Sequence, residues 1–285
     1  MIPEKKKNSL SSLCILCHDV DRVLPFYRDI LGFIPDRAEE SFYSLTSPTG
    51  KANLCLWEIG HIARNSVFEE YSSKEIPSKY MISAAVPSVK DVDNIRTKVA
   101  STDVHILPST AKVSDVKNLH FVDSSGVIWH IFVDETADRS ISLDRITLVC
   151  QNLSESREFY EKKIKFGSYT STKTQVVYST DGDTQLALWD VASAAEELGL
   201  AKLLNQGSIW GGHTGMIALS YDTVEQMDAQ FQLLQKRGVF FNEKPAHFQW
   251  DFTASYFCDP DQNIWELFTI PQNLEARMLQ KTEEG

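Results

Sequence analysis

The apolar residues of the chain change their spacing in a recurring order. The run Leu13–Cys17 is apolar throughout and predicts a buried β-strand. Apolar residues at the spacing of one helix face follow it: Val23, Phe26, Tyr27, Ile30 and Leu31. Gly32 then ends the predicted helix, because glycine favours the position just after a helix. Apolar segments at Phe42–Leu45 and Ala52–Trp57 predict two further strands.

The same order of elements begins three more times. In the second unit a strand at Tyr80–Val86 comes before a predicted helix, and further strands are expected near Val113, at Leu119–Phe121 and at Val127–Val133. The apolar residues of that helix are Val89, Val92, Ile95 and Val99. The third unit begins at Leu143 and the fourth at Gly215, and an extra short helix is expected within Ser193–Gly211. The predicted fold class is therefore α+β, built from four βαβββ units.

Three motifs recur in the same order in the two halves of the chain. The matching pairs are Phe26-Tyr27 with Phe159-Tyr160, Trp57 with Trp189, and Trp129 with Trp265, at offsets of 133 (159 − 26), 132 (189 − 57) and 136 (265 − 129) residues. A nearly constant offset indicates an internal duplication. The polar stretch Val133–Ser140 is the predicted linker, which places the two domains at residues 9–135 and 141–272. We expect the recurring tryptophans to pack in the core or between units.

Composition narrows the classes of partner. The chain has 285 residues, a formal net charge of −11 and a pI of about 5.1. An acidic surface repels phosphate backbones and anionic headgroups, so neither nucleic acid nor a membrane is an expected partner. No apolar stretch approaches the roughly 20 residues that span a bilayer, and the polar start Met1–Asn8 lacks a signal-peptide pattern. We expect a cytoplasmic protein with a small-molecule ligand or substrate, and the sequence leaves a homodimer open.

Two cysteines have the CxxC spacing of a redox or zinc site. They are Cys14 and Cys17, and both lie in the first predicted strand. Residues three apart on a strand face opposite sides of the sheet. The pair is therefore not expected to hold one metal ion or to form a redox couple.

The motifs together resemble the vicinal oxygen chelate superfamily, the group of glyoxalases, bleomycin-resistance proteins and extradiol dioxygenases. The resemblance rests on Asp19, Phe26-Tyr27 and Leu31–Phe33 in the first unit and on the segment Asp259–Glu266 in the last, and it covers about residues 11–271. It implies two glyoxalase-like domains. In each, two adjacent units pair their sheets into an incomplete barrel whose concave face holds a small molecule.

The resemblance also indicates where metal ligands would lie. The matching positions are Ser12, Cys55, Met81 and His130 in the first half and Arg145, Ala187, Met216 and Glu266 in the second. Arginine carries only hydrogen-bond donors and does not ligate a metal, and one histidine beside a cysteine is not a recognised chelate set. We therefore expect neither half to hold the usual metal, with a divalent metal at Glu266 as the alternative. Arg145 is expected to pair with Glu266 across the C-terminal cavity.

The remaining candidates are residues that could contact a ligand. Glu266 and Tyr256 are the candidate catalytic residues, because a desolvated carboxylate can take up a proton and a tyrosine can donate to a bound oxygen. A packed aromatic side chain is the alternative for Tyr256. The candidate ligand-binding residues are Arg145, Trp210, His213, Met216, His247, Trp250 and His130. His213 is the best further metal candidate, although an offset of three from Met216 puts it on the other face of a regular strand.

Two functions follow from these residues. The favoured one is a metal-free protein of the antibiotic-sequestering kind, which binds a small apolar or aromatic molecule in a concave cleft. The alternative is an enzyme of the same superfamily, a lyase, isomerase or extradiol-type dioxygenase, with Glu266 as metal ligand or general base.

Overall fold

The structure is a computed structural model, which describes nine stretches of the chain. These are residues 10–39, 41–46, 53–58, 80–107, 117–137, 141–180, 184–200, 215–248 and 252–269. The strand expected near Val113 lies outside the described residues. No helix in these stretches is long and apolar enough to cross a membrane.

The first two units each contain one strand, one helix and three more strands, as predicted. Unit 1 comprises β1 (Ser12–Cys17), α1 (Val20–Pro25), β2 (Ile34–Glu39), β3 (Phe42–Thr46) and β4 (Asn53–Glu58). Unit 2 comprises β5 (Tyr80–Val86), α2 (Val89–Ala100), β6 (His105–Ile106), β7 (Asn118–Val122) and β8 (Ile128–Val133).

The second half repeats this order. Unit 3 comprises β9 (Ser142–Cys150), α3 (Leu153–Glu158), β10 (Tyr169–Ser171), β11 (Gln175–Tyr178) and β12 (Gln185–Asp190). The extra short helix expected between units 3 and 4 follows as α4 (Val191–Glu197). Unit 4 comprises β13 (Gly215–Tyr221), α5 (Val224–Lys236), β14 (Ala246–Phe248), β15 (Phe252–Cys258) and β16 (Ile264–Thr269). The α+β class and the fourfold βαβββ plan are confirmed.

Each helix that joins the first two strands of a unit begins at a polar side chain that caps it. The capping residues are Asp19, Ser88, Asn152 and Thr223. In each case the side-chain oxygen accepts a hydrogen bond from the backbone N–H three residues later, at 3.0 to 3.4 Å. Such a cap satisfies an amide that has no partner inside the helix. The aspartate in the sequence motif before the first helix therefore fixes where that helix begins.

The Phe-Tyr motif marks a change in helix geometry. Helix α1 continues as a π-helical segment at Phe26–Ile30, and α3 continues as one at Phe159–Ile164, where a single α-helix was expected. In both segments the tyrosine is fully buried, and its hydroxyl donates to an aspartate in the last β-turn of the following unit. The Tyr27–Asp123 bond is 2.7 Å and the Tyr160–Asp259 bond is 2.6 Å. The motif therefore joins the two units of each half.

The sheets themselves pair units differently from the expectation. Sheet A has the order β14-β15-β16-β13-β1-β4-β3-β2, and sheet B has the order β10-β11-β12-β9-β5-β8-β7-β6. Units 1 and 4 therefore share sheet A through the antiparallel β1–β13 pair, and units 2 and 3 share sheet B through β5–β9. The prediction that adjacent units of each half share one sheet is wrong, because the repeat does not determine which strand edges meet.

One face of each sheet forms a single hydrophobic core with helices α1, α2, α3 and α5. Trp129 and Trp265 are fully buried in it, as expected. We call the opposite face of each sheet its front face. Trp57 lies on the front face of sheet A and Trp189 on that of sheet B, in separate apolar clusters. Cys14 lies on the front face and Cys17 in the core, which confirms that the CxxC pair straddles the strand.

Candidate functional site

Five positions cross the front face of sheet A in one line, which we call row A. The line runs through Tyr256, Glu266, Ala218, Ser12 and Asn53, on strands β15, β16, β13, β1 and β4. Each member is the direct partner of the next across neighbouring strands. Positions paired in this way lie about 5 Å apart. Row A therefore brings the expected Tyr256–Glu266 pair beside the first strand of unit 1.

Glu266 is the charged member of row A. Only 6% of the residue is exposed, and its Oε1 accepts a 2.9 Å hydrogen bond from the Tyr256 hydroxyl. No described residue donates a hydrogen bond to Oε2, and none places a cationic side chain in an ion pair with it. Burial raises the pKa of Glu266 from 4.5 to about 7, although the Tyr256 hydrogen bond opposes this rise. The carboxyl group can therefore gain or lose a proton near neutral pH.

The surface around Glu266 is apolar and rich in aromatic rings. Its buried members include Cys14, Leu16, Trp57, Met216 and Ile264, and its partly buried members include Phe42, Phe248, Phe252 and Phe268. The Phe42 and Trp57 rings lie edge to face with centroids 5.7 Å apart, and Phe248 lies 6.2 Å from the Tyr256 ring. Such a surface strengthens the desolvation of the carboxyl group. It also suits an apolar or aromatic ligand.

The equivalent line on sheet B, row B, has a different charge. It runs through His120, His130, Ser83, Arg145 and Gln185, on strands β7, β8, β5, β9 and β12. Arg145 replaces Ser12, and His130 replaces Glu266. His120 is the repeat equivalent of Tyr256, because each pairs directly with the last-strand member of its row.

Hydrogen bonds and ring contacts hold the side chains of row B. Nε and Nη2 of Arg145 both donate to Oε1 of Gln185, at 3.2 and 3.0 Å. Nε2 of His130 lies 2.8 Å from Oδ1 of Asn118, and Nδ1 lies 3.5 Å from Oγ of Ser83. The rings of His120 and His130 stack with their centroids 4.3 Å apart. Row B is therefore a polar strip.

The predicted pairing of Arg145 with Glu266 is wrong. Arg145 belongs to sheet B, where it bonds Gln185 and lies 3.8 Å from Asp144, whereas Glu266 belongs to sheet A. The expectation assumed that units 3 and 4 share a cleft. Because unit 4 pairs with unit 1, the residue that faces Glu266 from the neighbouring half of the sheet is on β1, not β9.

Four of the expected ligand positions lie next to the rows, not in them. These are Cys55 and Met216 on sheet A and Met81 and Ala187 on sheet B, each two residues along its strand from the row member. They keep the correct face because strand side chains alternate with a period of two. The sequence analysis missed Ala218, Ser83 and Gln185. Ser83 and Ala218 are 135 residues apart (218 − 83), and Asn53 and Gln185 are 132 apart (185 − 53). These offsets match those of the recurring motifs, so they mark the two pairs as repeat equivalents.

The other candidates divide into two groups. Trp210, His213 and Trp250 lie outside the described residues. His247 is exposed on strand β14, between Ala246 and Phe248. Phe248 faces the apolar surface of sheet A, so the alternation of the strand places His247 on the opposite face, away from the cleft that it was expected to line. Met216 does line the front face, beside row A.

Comparison with known proteins places this geometry in a family. The model of the "Glyoxalase/Bleomycin resistance protein/Dioxygenase superfamily" matches residues 9–131 and 142–267. The chain belongs to this superfamily. The match covers both halves, in agreement with the duplication. No curated protein matches the chain significantly.

Solved structures of superfamily type share the fold over nearly the whole chain. A putative dioxygenase from Bacillus subtilis superposes with a TM-score of 0.62 at 14% identity, covering 94% of this chain and 87% of its own. Glyoxalase I from Zea mays superposes with a TM-score of 0.58 at 15% identity, covering 95% of both chains. Identities this low establish the fold and not the reaction.

The metal-dependent members that the resemblance implies need several donor side chains around one metal ion. Among the described residues, no group of three or more His, Cys, Asp or Glu side chains could share a metal ion. Row A contributes one carboxylate beside Ala218 and Ser12, and row B contributes one imidazole together with a guanidinium. A facial site needs three such ligands. The described donors do not fit the usual metal.

Proposed function

We propose that the protein binds a small apolar or aromatic molecule on the front face of sheet A without a metal, and that the molecule carries one hydrogen-bond donor. The observation that carries this proposal is Oε2 of Glu266, which accepts no hydrogen bond from any described residue on a surface otherwise made of apolar and aromatic side chains. A carboxyl oxygen that lacks a partner in such surroundings is stabilised by one. A ligand hydroxyl or amine supplies that partner, while its apolar body contacts Trp57 and the phenylalanines.

A matched ligand pair tests the role of the donor. p-Cresol carries a hydroxyl donor, and 4-methylanisole has the same ring with the donor replaced by a methyl ether. Isothermal titration of the wild-type protein near pH 7 should show p-cresol binding about tenfold more tightly, because one hydrogen bond to a charged group contributes about 1.5 kcal/mol. In Glu266→Gln the two affinities should converge. Equal affinities in the wild type, or no binding of either compound, would refute the proposal.

A second function is supported by the pKa of Glu266 near 7, which suits proton transfer as well as binding. In this alternative the protein is a superfamily enzyme with Glu266 as general base. Exchange of the benzylic hydrogens of 1-phenyl-2-propanone into D2O, followed by proton NMR, would reveal such activity. A rate above that of buffer, rising through a pKa near 7 and lost in Glu266→Gln, would favour the enzyme. A rate equal to that of buffer would favour binding alone.

The place of the protein in the cell and its assembly stay at the level of prediction. The sequence leads us to propose a cytoplasmic location and a small-molecule partner. A homodimer is open to a direct measurement of molecular mass in solution.

A further inference from the structure

Row B differs from row A in charge, although the two rows occupy equivalent positions. Its central residues are Arg145, Ser83 and His130, so the row carries a guanidinium group. Row A has a serine at the position of Arg145 and a carboxylate at the position of His130. The duplication has therefore produced two front faces with different chemical preferences.

The guanidinium group of Arg145 is fixed and still accessible. Two of its nitrogens donate to one oxygen of Gln185, which fixes the plane of the group. Nη1 makes no hydrogen bond to any described residue, and 29% of the side chain is exposed. A planar group with a fixed orientation and an open edge is suited to two-point binding of a carboxylate or phosphate.

One acidic side chain opposes this role in part. Oδ2 of Asp144 lies 3.8 Å from Nη2 of Arg145, which is longer than a hydrogen bond. Burial raises the pKa of Asp144 even though the positive charge of Arg145 lowers it. The contact is therefore a loose ion pair. An incoming anion competes with Asp144 without having to break a short bond.

Further polar groups lie along the row from Arg145. Ser83, which is 3% exposed, lies between Arg145 and His130 as the direct partner of both. Two strand spacings separate Arg145 from His130, about 10 Å between Cα atoms. Both long side chains start from the same face, so an oxyanion above Ser83 would lie within reach of each. Asn118 and the stacked His120 ring hold His130 in place.

Helix α4 limits the size of a ligand on this face. Its residues Ala194 and Ala195, with Leu198 just after it, pack in one apolar cluster with Met81 and Trp189. Met81 and Trp189 lie on the same front face as row B, beyond Arg145 and Ser83 along the strands. The helix therefore covers the apolar end of the face, and the polar row lies next to that covered end.

We propose that row B is a second binding site, which takes the carboxylate or phosphate group of a small organic molecule on Arg145, with Ser83 and His130 as further hydrogen-bonding groups. The site is separate from the one proposed on sheet A, and either can exist without the other. Carboxylate and phosphate share the oxyanion geometry that a guanidinium group recognises, so the two are distinguished by experiment.

Methionine methyl groups offer a readout for each face. Met81 lies on the front face of sheet B and Met216 on that of sheet A. In protein labelled with [methyl-13C]methionine, the two signals are assigned from Met81→Leu and Met216→Leu. Benzoate and phenyl phosphate are then titrated separately, with uncharged benzamide as the matched control. We expect at least one anion to shift the Met81 signal to saturation, and benzamide to bind about tenfold more weakly or not at all.

Two variants of neighbouring residues should change the anion affinity in opposite directions. Arg145→Gln should weaken the anion by about tenfold or more, whereas Asp144→Asn should tighten it, because the competing charge is gone. Arg28→Gln, on the surface, should leave the affinity unchanged. An unchanged unfolding temperature shows that the Arg145 variant is folded. The proposal is overturned if neither anion saturates the Met81 shift, if benzamide binds equally well, or if Arg145→Gln binds as the wild type does.

Discussion

The hydroxyl group of Tyr256 donates a 2.9 Å hydrogen bond to Oε1 of Glu266, directly across the β15–β16 pair. At the equivalent place on sheet B, His120 and His130 stack with centroids 4.3 Å apart. The backbone positions are the same, but one pair presents a carboxyl group and the other presents imidazoles. The duplication has preserved where the groups lie and has changed what they can bind.

The first prediction concerns how stability depends on pH through Glu266. The pKa of its carboxyl is about 7 in the folded protein against 4.5 as a model value, so the folded state holds the proton more tightly. The resulting contribution to stability is complete below about pH 4.5 and is lost as the pH rises through about 7. Glu266→Gln removes this dependence. Relative to the wild type, the variant should gain on the order of 2–3 kcal/mol between about pH 5 and pH 8.

Urea unfolding of both proteins at the two pH values measures this gain. Glu196→Gln, on an exposed side chain of helix α4, is the control and should show no such gain. A difference between wild type and Glu266→Gln that stays constant with pH would mean that the carboxyl titrates in the ordinary range.

The second prediction concerns Tyr256→Phe. The hydroxyl of Tyr256 lowers the pKa of Glu266, since it donates to the ionised form. Without the hydroxyl, the pKa should rise above that of the wild type. The chemical shift of the Glu266 carboxyl carbon, assigned from Glu266→Gln, follows the titration directly. Tyr43→Phe removes an exposed tyrosine–aspartate bond to Asp21 and serves as control. A midpoint that stays the same or falls in Tyr256→Phe would rule out this role of the hydroxyl.

The third prediction tests the register of row A. Ser12, Ala218 and Glu266 are neighbours across β1, β13 and β16. The double variant Ser12→His with Ala218→His therefore puts two imidazoles beside one carboxylate, the ligand set of a facial metal site. It should bind Co2+ at least about tenfold more tightly than the wild type, as measured by titration calorimetry.

The matched control for the graft moves one histidine by two residues. Met216 lies on the same face as Ala218 but outside the row. Ser12→His with Met216→His should bind Co2+ more weakly than the row variant, and adding Glu266→Gln to the row variant should remove the gain. Tighter binding by the Met216 variant would show that the expected positions from the sequence were correct and that the row is misplaced.

The fourth prediction concerns the buried tyrosines of the Phe-Tyr motif. Tyr27→Phe removes one hydrogen bond, to Asp123. Tyr160→Phe removes the bond to Asp259 and also the acceptor of the Trp265 indole N–H, 3.0 Å away. A buried polar group left without its partner costs about 1–3 kcal/mol. Both variants should lower the free energy of unfolding, and Tyr160→Phe should lower it more. Equal losses, or the reverse order, would contradict the proposed bonding.

Much of the fold follows from the sequence because the repeat is a local pattern. Strand β5 has the bounds that its apolar run predicts, Tyr80–Val86, and the residues of each Phe-Tyr motif are buried as their spacing suggests. The predicted strands did not include β2, which contains Pro35 and charged residues, or β10, whose three residues are all exposed. Edge strands of this kind bury little apolar surface and leave a weak pattern.

For the sites, the sequence predicted which positions are equivalent in the repeats, but it did not predict which of them share a sheet. The equivalence of Glu266 with His130 and of Arg145 with Ser12 was predicted correctly, because offsets between repeats are visible in the sequence. The assignment of Glu266 and Arg145 to one cavity was wrong, because pairing between distant strands is decided by tertiary packing. Met81 and Met216 lie two residues from Ser83 and Ala218, on the same face of their strands but outside the rows.

The most direct test of the proposed function is to locate where an aromatic molecule with a hydrogen-bond donor binds on the protein. p-Cresol is titrated into protein labelled with [methyl-13C]methionine, and the Met216 and Met81 signals are followed together. The structure predicts a saturable shift of Met216, beside Glu266 on sheet A, that Glu266→Gln weakens about tenfold. A saturable shift of Met81 alone, no saturable shift at all, or a Met216 shift that is unchanged in Glu266→Gln would contradict a site centred on Glu266.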